Sequence, residues 1–147
     1  MIRAGSRSYS TGPNAHPLSL RAMESFEGLR VLQVTRELAE EVIAAVAEFP
    51  RHDPARLRSQ LAEAAESVSS NIAEGVGRSS LGERLQFFRV ARGSLEETKN
   101  HLKVCANTGR LRRRTFYRLW NRSVVSSRML ASLMANLERR RRKPPPP

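Results

Sequence analysis

Ser67-Val68-Ser69-Ser70-Asn71-Ile72-Ala73-Glu74-Gly75-Val76-Gly77-Arg78-Ser79-Ser80-Leu81-Gly82-Glu83 is the stretch on which the fold turns. Small residues close one apolar-periodic segment, two glycines interrupt the chain, and a second periodic segment then opens. Ser80 with Glu83 three residues later is a capping-box pattern. The hydroxyl satisfies a backbone N–H of the first turn, and the carboxylate reaches back to the cap N–H. A helix is therefore predicted to begin near Ser80. Gly75 and Gly77 suit the left-handed or open backbone that ends the preceding helix and reverses the chain. The block reads as two helices folded tightly back on one another. With the reversal centred between Gly77 and Arg78, Ala62, Ala64 and Ala65 are predicted to face the region of Ala91, Gly93 and Ser94, with Arg58 near Glu97. Gly93-Ser94 is predicted to be a packing notch, since Gly inside a helix costs about 1 kcal/mol against Ala and needs a compensation.

Outward from this hairpin the hydrophobic spacing is helical throughout, with no credible strand. Helix one, about Ser25 to Glu48, places Val31, Leu38, Val42, Ala45 and Phe49 along one stripe, closed by Phe49-Pro50. Helix two is predicted to start after Asp53-Pro54, an N-cap followed by proline at the first helical position, and carries Leu57, Leu61, Ala65, Val68 and Ile72. Helix three carries Leu81, Leu85, Phe88, Ala91, Leu95, Thr98, Leu102 and Cys105, and Asn107 with Gly109 supplies its stop. Helix four, about Arg113 to Arg140, carries Phe116, Leu119, Trp120, Leu130, Leu133 and Leu137. Short loops between long helices argue for an all-α, antiparallel up-down-up-down four-helix bundle over residues 24–138.

The chain of 147 residues fits one core of ordinary size. No apolar run approaches the roughly 18 residues needed to span a bilayer, and no hydrophobic signal core is visible. A lone Cys105 excludes an intrachain disulfide, in agreement with a reducing cytoplasm. Residues 1–23 contain three arginines, no acid and many Ser, Gly and Pro. They read as a disordered basic leader, an organellar transit peptide, or sequence ahead of a true start at Met23; the last is the favoured expectation. Residues 139–147 end in four prolines and are predicted to be an extended, mobile basic tail.

Charge is divided unevenly along the chain. Residues 24–75 carry five Arg and ten acids, whereas residues 110–147 carry twelve bases and one acid, nearly the whole net charge of +12. Arg112, Arg113 and Arg114 crowd the start of helix four, where the macrodipole already places partial positive charge and disfavours cations. Folding alone would not select them. Arginine matches phosphate geometry, so Arg110, Arg112, Arg113, Arg114, Arg118, Arg122 and the tail residues Arg139, Arg140, Arg141, Arg142 and Lys143 are candidate nucleic-acid contacts. The competing readings are a solubilising basic surface, an anionic membrane and an acidic protein.

Enzymatic readings fare poorly. Gly75-Val76-Gly77 lacks the third glycine, the preceding strand and the Gly-Lys-Ser/Thr of nucleotide-binding loops. His101 and Cys105, at i and i+4, are better read as a boundary histidine beside a core thiol than as a nucleophile pair. His16, His52 and His101 are scattered without metal-ligand spacing, and no cofactor is implied. Asn71, Glu74, Arg78 and Glu83 are read chiefly as a polar cluster belonging to the hinge.

Asn71-Ile72-Ala73-Glu74-Gly75, Gly77-Arg78-Ser79, Glu83 and Gly93-Ser94-Leu95-Glu96, followed by Glu97, together resemble the four-helix-bundle family encoded in intervening sequences of bacterial 23S ribosomal RNA genes. The same superfamily includes the accessory variability protein of diversity-generating retroelements. The resemblance covers Phe26 to about Leu137. It implies a non-enzymatic bundle assembling as a homopentamer and, in the retroelement branch, binding of RNA and a reverse transcriptase. Apolar residues beyond those a single bundle needs (Phe87, Val90, Val104, Trp120, Val124, Val125, Met129 and Met134) agree with assembly. This chain departs from the family pattern at Leu32, at Ala62-Glu63 and at Arg112-Arg113-Arg114, the last moving positive charge to one end of the bundle. The motifs are closer to the ribosomal-insertion type.

Overall fold

The computed structural model describes the backbone of residues 17–144 and 147, and side chains from Phe26. Four helices, α1 (Pro17–Ala47), α2 (Ala55–Val76), α3 (Leu81–Asn107) and α4 (Arg113–Arg142), follow one another through short loops. Consecutive helices pack on one another and α4 closes the ring against α1, while among the described residues neither diagonal pair brings its backbones close together. This is the antiparallel bundle expected from the loop lengths. The interior holds the expected stripes: Leu38, Val42, Leu61, Ala65, Val68, Ile72, Leu85, Ala91, Leu95, Leu102, Cys105 and Leu119 are fully buried, with Phe88, Leu130 and Leu137 nearly so. Thr35, Thr98 and Ser123 share this core because each hydroxyl donates to a backbone carbonyl one turn back, at 2.9, 2.8 and 2.8 Å. Met134, expected among the flanking residues, is a core residue at 3% exposure.

Both outer boundaries differ from the expectation. Helix α1 begins at Pro17, not near Ser25, and takes residues 17–23 out of the expected disordered leader. Proline at a first helical position is pre-set for the turn, and Leu18, Leu20, Ala22 and Met23 are good helix formers with no glycine among them. Residues 1–16 of that leader lie outside the described residues. Helix α4 continues through Arg142, so Arg139–Arg142 are helical rather than extended, and the chain leaves the helix at Lys143, before the prolines.

The hairpin is present with a different use of its glycines. Ser80 caps α3 as expected, accepting from the Glu83 N–H at 3.4 Å. Neither Gly75 nor Gly77 adopts a left-handed conformation: Gly77 has φ −75°, and Gly75 lies inside α2. Gly75 is needed for space instead, because a Cβ there would come within 2.5 Å of the Phe88 ring. Ser67 meets Ser94 at 2.8 Å and Gly75 meets Phe88, about two helical turns further along α3 than a reversal at Gly77 would give. Glu97 faces His101 at 3.5 Å, not Arg58. The notch is made by Ser94 with Ser67, while an added Cβ on Gly93 would meet nothing within 4 Å.

Left-handed backbone occurs at the other hairpin, at Gly109 (φ 74°). The Gly109 N–H donates to Ala106 at 3.1 Å and the Arg110 N–H to Cys105 at 2.8 Å, the paired closure of a Schellman turn. Asp53 does not cap α2: Pro54 holds that position without a side-chain bond, and the Asp53 carboxylate is drawn instead to Arg110.

Candidate nucleic-acid interface

The candidate cations of α4 and its flanks fall into three groups, with Arg128 exposed between the second and the third. At the start of the helix, Arg112, Arg113 and Arg114 are exposed, with Arg113 lying 5.7 Å from the Tyr117 ring centre. Arg112 occupies the N-cap without a side-chain capping bond. Immediately before it, Arg110 Nε donates to Asp53 Oδ2 at 3.0 Å, with the Asp53 side chain 7% exposed. This ion pair clasps the α3–α4 loop to the α1–α2 loop and so sets exposed Arg51 at the same end as the triple arginine. A polar recess of about 380 Å³ between the last turn of α1 and the first of α4 is lined by Glu48, Arg110, Arg112 and Thr115 over Ala45 and Leu111.

Arg118 and Arg122 are used differently. Arg122 reaches Glu41 at 2.9 Å and Glu37 at 3.3 Å, and Arg118 reaches Glu41 at 3.4 Å, lacing α4 to α1. Acids at i and i+4 on one helix oppose bases at i and i+4 on its antiparallel neighbour. That matched spacing, Glu37 and Glu41 against Arg118 and Arg122, is legible in the sequence and points to lacing rather than to nucleic-acid contact. The Arg110–Asp53 clasp has no comparable signal, because 57 residues separate its partners.

Arg139–Arg142 and Lys143 lie at the opposite end, beside the α2–α3 hinge. The Arg141 guanidinium carbon is 4.0 Å from the place a Gly82 side chain would begin, and Glu138 pairs with Arg89 at 3.9 Å. Arg139 donates to Asn136. Within the hinge, Arg78 pairs with Glu74 at 3.2 Å, stacks 5.0 Å over the Phe87 ring, and accepts at its carbonyl from Arg84. Asn71 does not join them; it turns back to the Ser67 carbonyl at 2.8 Å. The hinge motif and the α4 C-terminus are thus brought together, and the triple arginine is held apart from both.

Cys105 is fully buried, and burial pushes its thiol above the ordinary 9.0, opposed by Arg110 and reinforced by Asp53. A thiol kept protonated is a poor nucleophile, and His101 is turned toward Glu97. No helix among the described residues is long and apolar enough to cross a membrane.

The crystal structure of a protein of unknown function from the S23 ribosomal protein family of Bacteroides thetaiotaomicron VPI-5482 superposes with a TM-score of 0.64 at 19% identity, over 76% of this chain and 96% of that one. That likeness shows the shared bundle. Among curated proteins none matches the chain. The model of the 23S rRNA-intervening sequence protein family matches residues 27–132, which include the hinge motif and Arg110–Arg128 and stop short of Arg139. The chain belongs to the 23S rRNA-intervening sequence protein family.

Proposed function

We propose that this protein is a non-enzymatic, homo-oligomeric bundle that holds the phosphate backbone of RNA at the end where α4 begins. The observation that carries this reading is the exposed Arg112-Arg113-Arg114 run at a helix N-terminus, where cations are disfavoured for folding, with Arg51 beside it and Asp53 already engaged by Arg110. Guanidinium groups presented from the start of α4 and from the α1–α2 loop at one end suit an array of phosphates. RNA is favoured as the polyanion by the family's link to intervening sequences of 23S rRNA. About four phosphate contacts to a single strand give a slope of log affinity against log salt near −3, with little dependence on base sequence. A fluorescence-anisotropy salt titration with a labelled single-stranded RNA measures that slope; a slope near zero would reject phosphate contact.

A second reading is a protein scaffold, docking a partner such as a reverse transcriptase, with the basic end mainly solubilising. Exposed Val90 and Val104 on α3, with Gly93 between them opening onto free space, favour a protein-covered face there. Binding through that face would persist at high salt. The same residues support self-assembly, with a pentamer as the proposed state. Light scattering that gives a monomer at micromolar concentration would reject it.

A further inference from the structure

The hinge end carries its own concentration of positive charge, built from two separate parts of the sequence. Arg139, Arg141, Arg142 and Lys143 are exposed at the end of α4, and Arg78 is exposed on the adjoining loop. Arg141 lies over Gly82 in the first turn of α3, its guanidinium 4.0 Å from where a side chain there would begin. Arg78 is steadied over Phe87. Nearby acids are partly engaged, Glu74 by Arg78 and Glu138 by Arg89.

Helix electrostatics account for only part of this. A cation near a helix C-terminus is favoured, but four arginines in one turn repel one another, and like charges three or four residues apart destabilise a helix by roughly what an opposite pair gains. The last turn of α4 therefore holds more positive charge than the macrodipole selects. Because these arginines are helical, their backbone is already ordered and only their side chains must be immobilised on contact.

We infer that the hinge end is a second polyanion-binding face, so that one chain bridges two segments of nucleic acid. Bridging rests on the reading of the α4 start as the first face; the second face stands without it. Helix α4 has 30 residues, so the two faces are separated by about 45 Å at 1.5 Å per residue. A rigid DNA duplex of about ten base pairs, roughly 34 Å long at 3.4 Å per pair, cannot touch both.

The experiment uses the full-length protein and such duplexes, dye-labelled, at low salt, and reads the number of duplexes bound per chain at saturation. Wild type is expected to bind two duplexes for each one bound by R141E/R142E/K143E, whatever the number of chains assembled. The affinity of the variant's remaining site is expected to stay within twofold. Circular dichroism verifies the fold, and R141Q/R142Q/K143Q replaces the variant if the charge reversal unfolds the helix end. Unchanged stoichiometry in the folded variant would overturn the second face. If replacing Arg112, Arg113 and Arg114 leaves the stoichiometry at the wild-type level while the hinge-end variant abolishes binding, the second face holds and the reading of the α4 start fails.

Discussion

The sequence reads Gly75 as a helix end and Gly93 as a packing notch; in the structure both lie inside helices and do opposite things. Gly75 lies where α2 presses on α3, and Phe88, 2% exposed, has no room to retreat from an added methyl. Gly75→Ala is expected to destabilise by about 1–3 kcal/mol through overpacking, against a helix-propensity gain of at most about 1 kcal/mol. Gly93 faces open space, so Gly93→Ala is expected to stabilise the isolated chain by up to about 1 kcal/mol. Thermal denaturation of the two variants checks the opposite signs. The sequence marks both glycines but assigns the need for smallness to Gly93 when it belongs to Gly75, because that need depends on the side chain arriving from the neighbouring helix. Asp53 teaches the same lesson: its place before Pro54 suits a cap, yet an arginine 57 residues away competes for the carboxylate and wins.

Helices were legible because each has a continuous apolar stripe at a spacing of three or four residues, and most residues named on those stripes are buried, with Leu57, Leu81, Phe116 and Trp120 at the half-buried margin. Ends were less legible. Composition rich in Ser and Pro suggested disorder up to Met23, while a proline at the first position opens α1 at Pro17. At the other terminus the prolines stop α4 only after all four arginines have joined it. The start of α4 is the element's weak point, with Arg112 at the cap, no capping side chain and no acid in the first turn. Replacing Arg112-Arg113-Arg114 by Ser-Glu-Glu supplies a cap and two acids, each favoured there by about 0.3–1 kcal/mol. The variant is expected to melt at a higher temperature than wild type in a calorimetric scan.

Across the molecule, topology followed from loop length, since loops this short leave consecutive helices no arrangement but antiparallel neighbours. The register of α2 on α3 did not follow, because Ser67–Ser94 and Gly75–Phe88 are contacts selected by packing rather than by the position of the turn. The basic surface was legible as composition and illegible as a site. Folding divides the candidate arginines into a clasp (Arg110), a lacing between helices (Arg118 and Arg122) and two exposed ends, each of which presents several cations to solvent. RNA affinity at fixed low salt, measured by anisotropy in chains whose hinge end is silenced by R141E/R142E/K143E, for the otherwise wild-type chain, for the Ser-Glu-Glu replacement and for Arg122→Gln, separates these uses. The expected result is that the replacement lowers affinity at least tenfold while remaining folded, and that Arg122→Gln stays within twofold of the otherwise wild-type chain although it loosens α4 from α1. Unchanged affinity in the folded Ser-Glu-Glu variant would contradict the assignment of RNA binding to the α4 start.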